Sequence, residues 1–315
     1  MKILVTGAAG QLGMDVMAEL ETRTQENRPP VLTQENRPPV FLGIDIADLD
    51  ITDGEAVRAY LTTHKPQCVI HCAAYTAVDK AEDEPELCFK VNVQGTENLA
   101  KACREIDAEM IYISTDYVFS GEGDKPYETD AVKEPVSTYG KSKLAGEEAV
   151  AFHLDRYYIV RISWVFGSNG GNFVKTMLRL ATRGDGPSAS QTNRPPPSAK
   201  QGDRPLATLN VVDDQIGSPT YTPDLAVLLC DMALSGKYGT YHATNEGFCS
   251  WAEFATEIMR QSNSSCKINP IPTEQYPTKA KRPKNSKLSK ASLDEAGFIR
   301  LPEWQDALER FIQDR

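Results

Sequence analysis

The sequence predicts an α/β protein, in which a doubly wound parallel sheet is followed by a smaller, mixed α/β C-terminal part. Apolar runs of strand length alternate with segments of helical periodicity from residue 1 to about residue 165. The run at 68–74 is almost continuously apolar, as expected for a strand buried on both faces. A glycine-rich turn at 7–13 joins the first run to the first helical segment, which is how a βαβ unit begins.

The elements follow one another in a regular order. Apolar, β-branched and aromatic residues predict strands at 1–6, 40–45, 68–74, 110–114 and 157–164. Apolar residues three or four apart predict helices at 11–21, 53–64, 85–106 and 137–152, and later at 223–235 and 251–261. Helix caps are expected from Thr52 or Asp53, from Ser137 and Thr138, and from the Ser250–Glu253 capping box.

Two segments interrupt this order. Residues 24–31 (TQENRPPV) recur at 33–40, and residues 183–205 are rich in Pro, Ser and Gly. Neither segment can bury an apolar face, so we expect 22–39 and 183–208 to be exposed excursions without an assigned function. They are natural insertions or replacements for shorter loops, and the sequence does not decide between the two. The predicted division is a nucleotide-binding part at 1–165 and a mainly substrate-binding part at 166–315, with some segments returning to the main sheet.

Composition excludes several classes of partner. The 315 residues carry 44 acidic against 34 basic side chains, a net charge of −10. This balance argues against a nucleic-acid surface and against an anionic membrane. The absence of a signal-like N-terminus and of an apolar run of about 20 residues predicts a cytoplasmic protein. Seven cysteines without metal-ligand spacing predict free thiols in a reducing compartment and no zinc site.

The turn at 7–13 predicts a dinucleotide site. Gly7, Gly10 and Gly13 follow a strand and open a helix, with Gln11 and Leu12 between the last two. Glycines let a pyrophosphate approach the backbone, and the free amides of the helix N-terminus favour an anion. The spacing GxxGxxG differs from the GxGxxG of many dinucleotide sites.

An acidic residue about 20 residues after such a turn binds the adenosine ribose. Asp45 lies 32 residues after Gly13, and removal of one nine-residue repeat would leave 23. Its carboxylate would repel a 2′-phosphate, which favours NADH without excluding NADPH. Further cofactor contacts are predicted along the neighbouring strand ends, at Asp50 and Ile51 beside the adenine and at Ala73, Ala74, Tyr75 and Thr76 beside the nicotinamide ribose. Tight helix–sheet packing is the alternative explanation for the two alanines.

Tyr139 and Lys143 are the predicted catalytic pair. Because they are four residues apart on a helix, they share one face. A cation there should lower the pKa of the phenol, so that it can donate a proton near neutral pH. Thr115 ends a predicted strand and can hydrogen-bond a substrate carbonyl oxygen. Tyr139 and Lys143 are also predicted to contact the cofactor.

These motifs resemble the extended short-chain dehydrogenase/reductase family, and in particular its dTDP-4-dehydrorhamnose reductase branch. The resemblance rests on six stretches in the same order: TGAAGQLG (6–13), AAYTAVDKAE (73–82), NVQGTENLA (92–100), STDYVF (114–119), YGKSKLAGE (139–147) and DDQIGSPTYTPDLA (213–226). It implies a Rossmann-type fold and NADPH- or NADH-dependent reduction of the C4 ketone of a nucleotide sugar, dTDP-4-dehydro-L-rhamnose. Tyr139 would then be the proton donor, Lys143 would hold the nicotinamide ribose, and Thr115 would polarise the carbonyl.

The resemblance also implies substrate contacts from Asp116 and Trp164, while Arg282 suits a diphosphate. The alternative for Arg282 is a solvated charge in the basic run 279–287. Related dehydratases follow the Thr with Asp and Glu; here Tyr117 follows Asp116, which favours a reductase. Some members use Mg²⁺, and Asp15 could serve, but no ligand cluster is visible, so no metal is predicted. The expected assembly is a monomer or homodimer. Two alternatives stay open: another nucleotide-sugar reductase or epimerase, and a non-catalytic NADP-binding subunit like the regulatory β-subunit of methionine adenosyltransferase.

Overall fold

Six parallel strands form the central sheet of the computed structural model, which describes residues 1–25, 40–183 and 208–315. The strand order is β2-β1-β3-β4-β5-β10. These strands are β1 (Lys2–Thr6), β2 (Val40–Ile44), β3 (Cys68–His71), β4 (Glu109–Thr115), β5 (Tyr157–Ile162) and β10 (Gly239–His242). The order reverses between β1 and β3, so a crevice opens at the carboxyl ends of these two strands. The predicted Rossmann-type α/β fold is confirmed.

Helices cover both faces of this sheet. One face packs against α1 and α8 through an apolar core that includes Val16, Leu20, Leu225 and Leu229. The other face packs against α2, α5 and α6, with Val57, Leu61, Leu99 and Val150 in its core. The helices of the nucleotide-binding part and α8, taken over both faces, are α1 (Gln11–Gln25), α2 (Gly54–His64), α3 (Val78–Ala81), α4 (Pro85–Phe89), α5 (Thr96–Glu105), α6 (Thr138–His153) and α8 (Thr222–Ala233).

A second apolar core lies in the C-terminal part and is rich in aromatic residues, among them Phe166, Phe254, Trp304 and Phe311. Its helices are α7 (Phe173–Arg183), α9 (Trp251–Gln261) and α11 (Trp304–Gln313), whereas α10 (Ala291–Glu295) packs on the main sheet through Leu293. Short two-stranded sheets complete it: β6 (Val165–Phe166) with β9 (Thr220–Tyr221), β7 (Thr208–Val212) with β12 (Lys267–Ile271), and β8 (Ile216–Gly217) with β11 (Cys249–Ser250).

The helix predicted at 85–106 is present from Pro85 to Glu105, but it is not α-helical throughout. It is α4, a π-helical turn at Lys90–Gly95, and α5. The wide turn holds Asn92, whose side chain hydrogen-bonds both backbone groups of Tyr75 at 2.8 and 3.0 Å. A π-turn of this kind has no signature in apolar periodicity.

Two predicted strands are shorter than expected. Strand β3 ends at His71 rather than Ala74, because the backbone of Cys72 and Ala73 leaves the sheet and passes close to Gly7. Strand β5 ends at Ile162 rather than Trp164, whose φ of +49° breaks the extended conformation. Of the predicted excursions, 22–25 belong to α1, Arg183 ends α7 and Thr208 begins β7; positions 26–39 and 184–207 lie outside the described residues.

The predicted caps are observed. Asp53, Ser137 and Ser250 accept hydrogen bonds from the first turns of α2, α6 and α9, and Glu253 completes the capping box. All seven cysteines are free thiols. Within the described ranges, the helices are too short or too polar to cross a bilayer.

Candidate active site

The glycine turn fits an extended anionic ligand because side chains are excluded from it. A Cβ on Gly7, whose φ is +66°, would lie 2.7 Å from the backbone nitrogen of Ala73, and one on Gly13 would lie 2.8 Å from Ala8 Cα. The turn therefore lets β1, β3 and the start of α1 approach closely, and it leaves the first amides of α1 facing the crevice. This is a cradle that a diphosphate can occupy.

A cavity of about 720 Å³ extends from this turn along the carboxyl ends of the strands. Its volume is typical of cofactor and small-ligand sites. It is lined by sixteen of the predicted site residues: Gly7, Gly10, Gln11, Leu12, Asp45, Asp50, Ile51, Ala73, Ala74, Tyr75, Thr76, Thr115, Asp116, Tyr139, Lys143 and Trp164. Gly13 lies behind the turn, and Arg282 lies outside the wall of the cavity.

One end of the cavity is acidic. Asp45 follows β2 directly, and its Oδ2 accepts a hydrogen bond from the Ala9 amide at 3.1 Å. Asp50 lies nearby and accepts from the Thr52 amide and hydroxyl at 2.9 and 2.8 Å. Among the described residues that line the cavity, Lys143 is the one lysine or arginine. A 2′-phosphate at the acidic end would thus meet two carboxylates, while Lys90, whose charge helps to lower the pKa of Asp50, lies outside the lining.

The reactive residues lie at the middle of the cavity. Helix α6 carries Tyr139 and Lys143 and is capped by Ser137, whose hydroxyl accepts from the Gly140 amide at 3.1 Å. Close packing of α6 depends on its glycines, since a Cβ on Gly146 would lie 2.8 Å from Asn92 O and still closer to the Tyr112 hydroxyl. The sheet and the helix therefore fix the two side chains against the crevice.

The pKa of Tyr139 differs from the prediction. Burial raises it above its ordinary value, a hydrogen bond with Thr115 lowers it, and the Asp116 carboxylate raises it further. Lys143 is not among the main influences on Tyr139. Burial lowers the pKa of Lys143 itself to about 7, and Glu147 partly offsets this. The ammonium lies 4.0 Å from the centre of the Tyr112 ring. The sequence spacing correctly placed Tyr139 and Lys143 in one cavity. The predicted lowering of the Tyr139 pKa was wrong, because spacing carries no information about desolvation.

Thr115 and Asp116 are buried at the end of β4. The Thr115 hydroxyl donates to Asp116 Oδ1 at 3.0 Å and accepts from the Tyr117 amide at 3.2 Å. Burial raises the pKa of Asp116 to about 6, against hydrogen bonds from Ser286 and Thr115 that lower it. Thr115 thus reaches both the phenol of Tyr139 and the carboxyl of Asp116.

An aromatic stack forms the far wall. Trp164 and Trp251 lie parallel, with ring centroids 3.7 Å apart and an interplanar angle of 14°. Both line the cavity, and the sequence analysis missed Trp251. No local pattern marks Trp251, which joins the site through the packing of α9 on the segment after β5. Other cavity residues that the sequence did not single out include Cys72, Ser114, Ser163 and Gly171.

Comparison with known proteins agrees with this geometry. The family model described as RmlD substrate binding domain matches residues 1–195 and 200–315. The chain belongs to this family. It is 38% identical over 314 residues to the spore coat polysaccharide biosynthesis protein SpsK of Bacillus subtilis, covering all of this chain and 98% of that one. It is 38% identical to the dTDP-4-dehydrorhamnose reductase of Streptomyces griseus, covering 97% and 91%. The crystal structure of dTDP-4-dehydrorhamnose reductase from Bacillus anthracis in complex with NADP matches with a TM-score of 0.85 at 37% identity, covering 100% and 99%.

In this member of the RmlD substrate binding domain family, Arg282 is engaged by protein groups. Its Nη2 donates to Asp79 Oδ2 at 2.6 Å and its Nη1 to the Tyr117 hydroxyl at 3.2 Å. Asp79 also accepts from the Ala280 amide at 3.0 Å. Since Tyr117 lines the cavity, Arg282 lies one side chain away from it. Its role as a diphosphate ligand stays a prediction.

Asp15 of this family member lies on α1, half-buried, with Oδ1 accepting from Asn169 at 3.0 Å. Burial raises its pKa, and hydrogen bonds from Thr222 and Asn169 and the charge of Lys175 oppose this. In the described part of the chain, His, Cys, Asp and Glu side chains form no group of three that could hold a metal ion. Asp15 thus has no set of co-ligands around it there.

Proposed function

We propose that the protein reduces the C4 ketone of dTDP-4-dehydro-L-rhamnose to the alcohol of dTDP-L-rhamnose, with NADPH or NADH as reductant. The observation that carries this proposal is one cavity in which Thr115, Tyr139 and Lys143 lie beside the glycine cradle. Two relatives, a dTDP-4-dehydrorhamnose reductase and a spore coat polysaccharide biosynthesis protein, support the same substrate class.

The chain's residues divide the work of carbonyl reduction. The reduced nicotinamide, when bound, supplies a hydride to the carbonyl carbon. Tyr139 donates its phenolic proton to the oxygen, so that one hydride and one proton convert the ketone to an alcohol. Thr115 hydrogen-bonds the same oxygen and stabilises the negative charge that develops on it. Lys143 would hold the ribose hydroxyls of the cofactor as an ammonium.

The cofactor would be held along the strand ends. The glycine cradle with Gln11 and Leu12 suits the diphosphate, Asp45 the adenosine ribose, and Asp50 with Ile51 the adenine. The 73–76 segment, fixed to Asn92 through Tyr75, suits the nicotinamide ribose. For the sugar nucleotide we assign Asp116 and Trp164 to the sugar and Arg282 to the diphosphate.

A dehydratase role is disfavoured at the same site. Elimination of water needs a second acid–base group beside Asp116, and the next residue is Tyr117. Burial raises the pKa of Tyr117 to about 12, and its hydroxyl accepts from Arg282. Tyr117 therefore cannot act as the base that elimination requires near neutral pH.

The deciding experiment supplies dTDP-4-dehydro-L-rhamnose from an upstream dehydratase and epimerase and follows NADPH and NADH absorbance. We expect stoichiometric oxidation with formation of dTDP-L-rhamnose. Cofactor binding without oxidation, at saturating enzyme, would instead favour the non-catalytic binding subunit. Oxidation with a different 4-keto sugar nucleotide only would favour another reductase.

Tyr139→Phe should lower kcat by about 10²–10⁴-fold, the usual contribution of a general acid. Cofactor affinity, measured by fluorescence of the reduced nicotinamide, should change little because the ring stays in place. Tyr117→Phe is a matched control, because the two rings are 5.6 Å apart in the same wall. Near-wild-type kcat in Tyr139→Phe would refute the proton-donor assignment.

We further propose a cytoplasmic enzyme, where reduced nicotinamide and nucleotide sugars are both available. The seven free thiols are in keeping with a reducing compartment. For the assembly, a monomer or homodimer remains our proposal, and sedimentation equilibrium of the full chain tests it.

A further inference from the structure

A fully buried ion pair joins helix α6, which carries Tyr139 and Lys143, to strand β5. Arg161 of β5 and Glu147 of α6 are 2% and 3% exposed. Their contact is bidentate: Nε donates to Oε1 at 2.8 Å and Nη2 to Oε2 at 2.7 Å. The mechanism of carbonyl reduction assigns no task to either residue.

The remaining polar groups of the pair are satisfied. Ser114 donates its hydroxyl to Glu147 Oε1 at 2.5 Å, and Arg161 Nη1 donates to Thr129 O at 2.8 Å. Arg161 Nη1 also lies 3.3 Å from His242 Nε2, while His242 Nδ1 lies 3.1 Å from Ser289 O. Because a carbonyl only accepts, Nδ1 carries the proton and Nε2 accepts from Arg161. His242 is therefore neutral, and the guanidinium points its charge at Glu147.

Stability alone does not account for this pair. Removing two charges from water costs several kcal/mol per ion, and an apolar pair of similar volume is often as stable. The position of the pair suggests another reason. Glu147 lies one helical turn after Lys143 on α6, and its partner Ser114 directly precedes Thr115. The carboxylate thus lies on α6, the helix of Tyr139 and Lys143, and it contacts β4, the strand that ends at Thr115.

Lys143 needs such a partner, because its surroundings disfavour a charge. Lys143 is 2% exposed. Its hydrogen bonds to other described residues are made by its own backbone, which accepts from the Tyr112 hydroxyl, and not by its ammonium. The titratable groups that face it are Tyr112 of β4, His71 and Cys72 at the end of β3, Cys88 of α4, and Tyr139 and Glu147 on its own helix.

Of these groups, Glu147 is the one that forms an ion pair within the described part of the chain. Burial lowers the pKa of His71 to about 3 and raises that of Cys72 to about 12, and it also raises the pKa values of Tyr112, Cys88 and Tyr139. Glu147 is the first of the groups that raise the pKa of Lys143, against the larger effect of burial.

We propose that Glu147 is a positioning residue whose carboxylate, oriented by the bidentate contact with Arg161, is the counter-charge of the buried Lys143 ammonium one helical turn away. The inference rests on the proposed function, because it assumes that the ammonium of Lys143 serves the reduction. It assigns the Arg161–Glu147 pair an electrostatic task in addition to packing.

The test is the titration of Lys143 in the full chain, followed by NMR of ¹³Cε-labelled lysine and assigned with Lys143→Met. Glu147→Gln removes the anion and should lower the Lys143 midpoint by about one pH unit. With less ammonium at a given pH, the alkaline limb of kcat should move to lower pH by the same amount. Glu147→Asp keeps the charge and should return the midpoint toward that of the wild type.

Two further variants separate electrostatics from structure. Glu147→Gln leaves Arg161 buried without its partner, so the double variant Glu147→Leu with Arg161→Met replaces the whole pair by apolar groups and should fold. Because it removes the Arg161 cation together with the carboxylate, it should lower the Lys143 midpoint by less than Glu147→Gln does. Asp224→Asn is the matched control, because Asp224 forms a bidentate pair with Arg310 at 2.7 and 2.8 Å and does not line the cavity.

An unchanged Lys143 midpoint in Glu147→Gln and in the double variant, with kcat lowered equally at all pH values, would overturn the proposal and leave the pair as a brace. A shift of the same size in Asp224→Asn would overturn it too. The NMR titration needs no turnover. A wild-type protein without reductase activity would therefore contradict the proposed function while the Glu147–Lys143 coupling is still measured.

Discussion

Burial governs the chemistry of the individual catalytic side chains. It raises the pKa of Tyr139 and Asp116 and lowers that of Lys143, and in each case desolvation is the largest influence. A buried Lys with a pKa near 7 is charged on the acidic side of neutrality and loses its proton as the pH rises. The reductase should therefore lose activity on the alkaline side at a lower pH than an exposed lysine would give.

Residue types and spacings identified half of the residues that line the cavity, because a glycine turn, a Tyr–Lys pair and a terminal Thr have specific chemistry. They could not identify Trp251, because it joins the site by stacking on Trp164, which lies 87 positions earlier in the chain. Nor could they give the direction of the Tyr139 shift, which depends on what surrounds the ring.

At Asp45 we expect a change of cofactor selectivity. Asp45→Asn removes a carboxylate at the acidic end of the cavity but keeps an oxygen for the Ala9 amide. NADPH should gain affinity relative to NADH by about five- to tenfold, as one repulsive charge is lost at a half-exposed site. Nicotinamide fluorescence titrations measure both dissociation constants.

Asp50→Asn is the control, since this residue lines the same end of the cavity but is engaged with Thr52. It should change the NADPH-to-NADH ratio less. An unchanged ratio in Asp45→Asn would show that Asp45 does not set the preference.

Helix α6 is the element on which the site depends most directly. Its glycines allow it to lie close to β4 and to the π-helical turn at Lys90–Gly95, and the buried pair of Arg161 and Glu147 ties it to β5. The sequence predicted this helix and its cap well, because both signals are local. It missed the π-helical turn and the short strands of the C-terminal part, because those depend on contacts between distant segments.

Gly146→Ala should destabilise the protein by about 1–3 kcal/mol, the usual cost of overpacking a core. Helix propensity alone would give the opposite sign, with a gain of about 1 kcal/mol from replacing glycine within a helix. The clash decides, because the new Cβ would meet the Tyr112 hydroxyl and Asn92 O. Thermal unfolding followed by circular dichroism gives the sign.

Glu148→Ala is the matched change on the exposed face of the same helix and should shift the free energy of unfolding by less than about 0.5 kcal/mol. A raised Tm in Gly146→Ala would mean that α6 can move away from β4 without cost.

At the scale of the whole molecule, the two parts of the chain meet beside the cavity. Asp79 of α3 holds both the Arg282 guanidinium and the Ala280 amide from the C-terminal part. If Arg282 binds the substrate diphosphate, phosphate oxygens would compete with the Asp79 carboxylate for its N–H donors. The contact would then report substrate binding across the two parts.

Two substitutions test this exchange in opposite directions. Arg282→Met should raise KM for the sugar nucleotide by about tenfold, because a charge-assisted phosphate contact is lost. Asp79→Asn removes the competitor and should lower KM by about two- to fivefold, roughly the strength of a partly exposed ion pair. Steady-state kinetics at saturating cofactor measures both. An equal rise of KM in the two variants would mean that the pair only shapes the loop.

The return of β10 to the main sheet has a consequence for synthesis on the ribosome. The nucleotide-binding sheet lacks its last strand until residue 242 has emerged, and the edge of β5 next to Arg161 stays open until then. A nascent or truncated chain that stops near residue 165 would present this apolar edge and an uncovered charge pair to its neighbours. The predicted boundary at 165 therefore marks a change in sequence character rather than a place where the gene could be cut to yield a self-sufficient fragment.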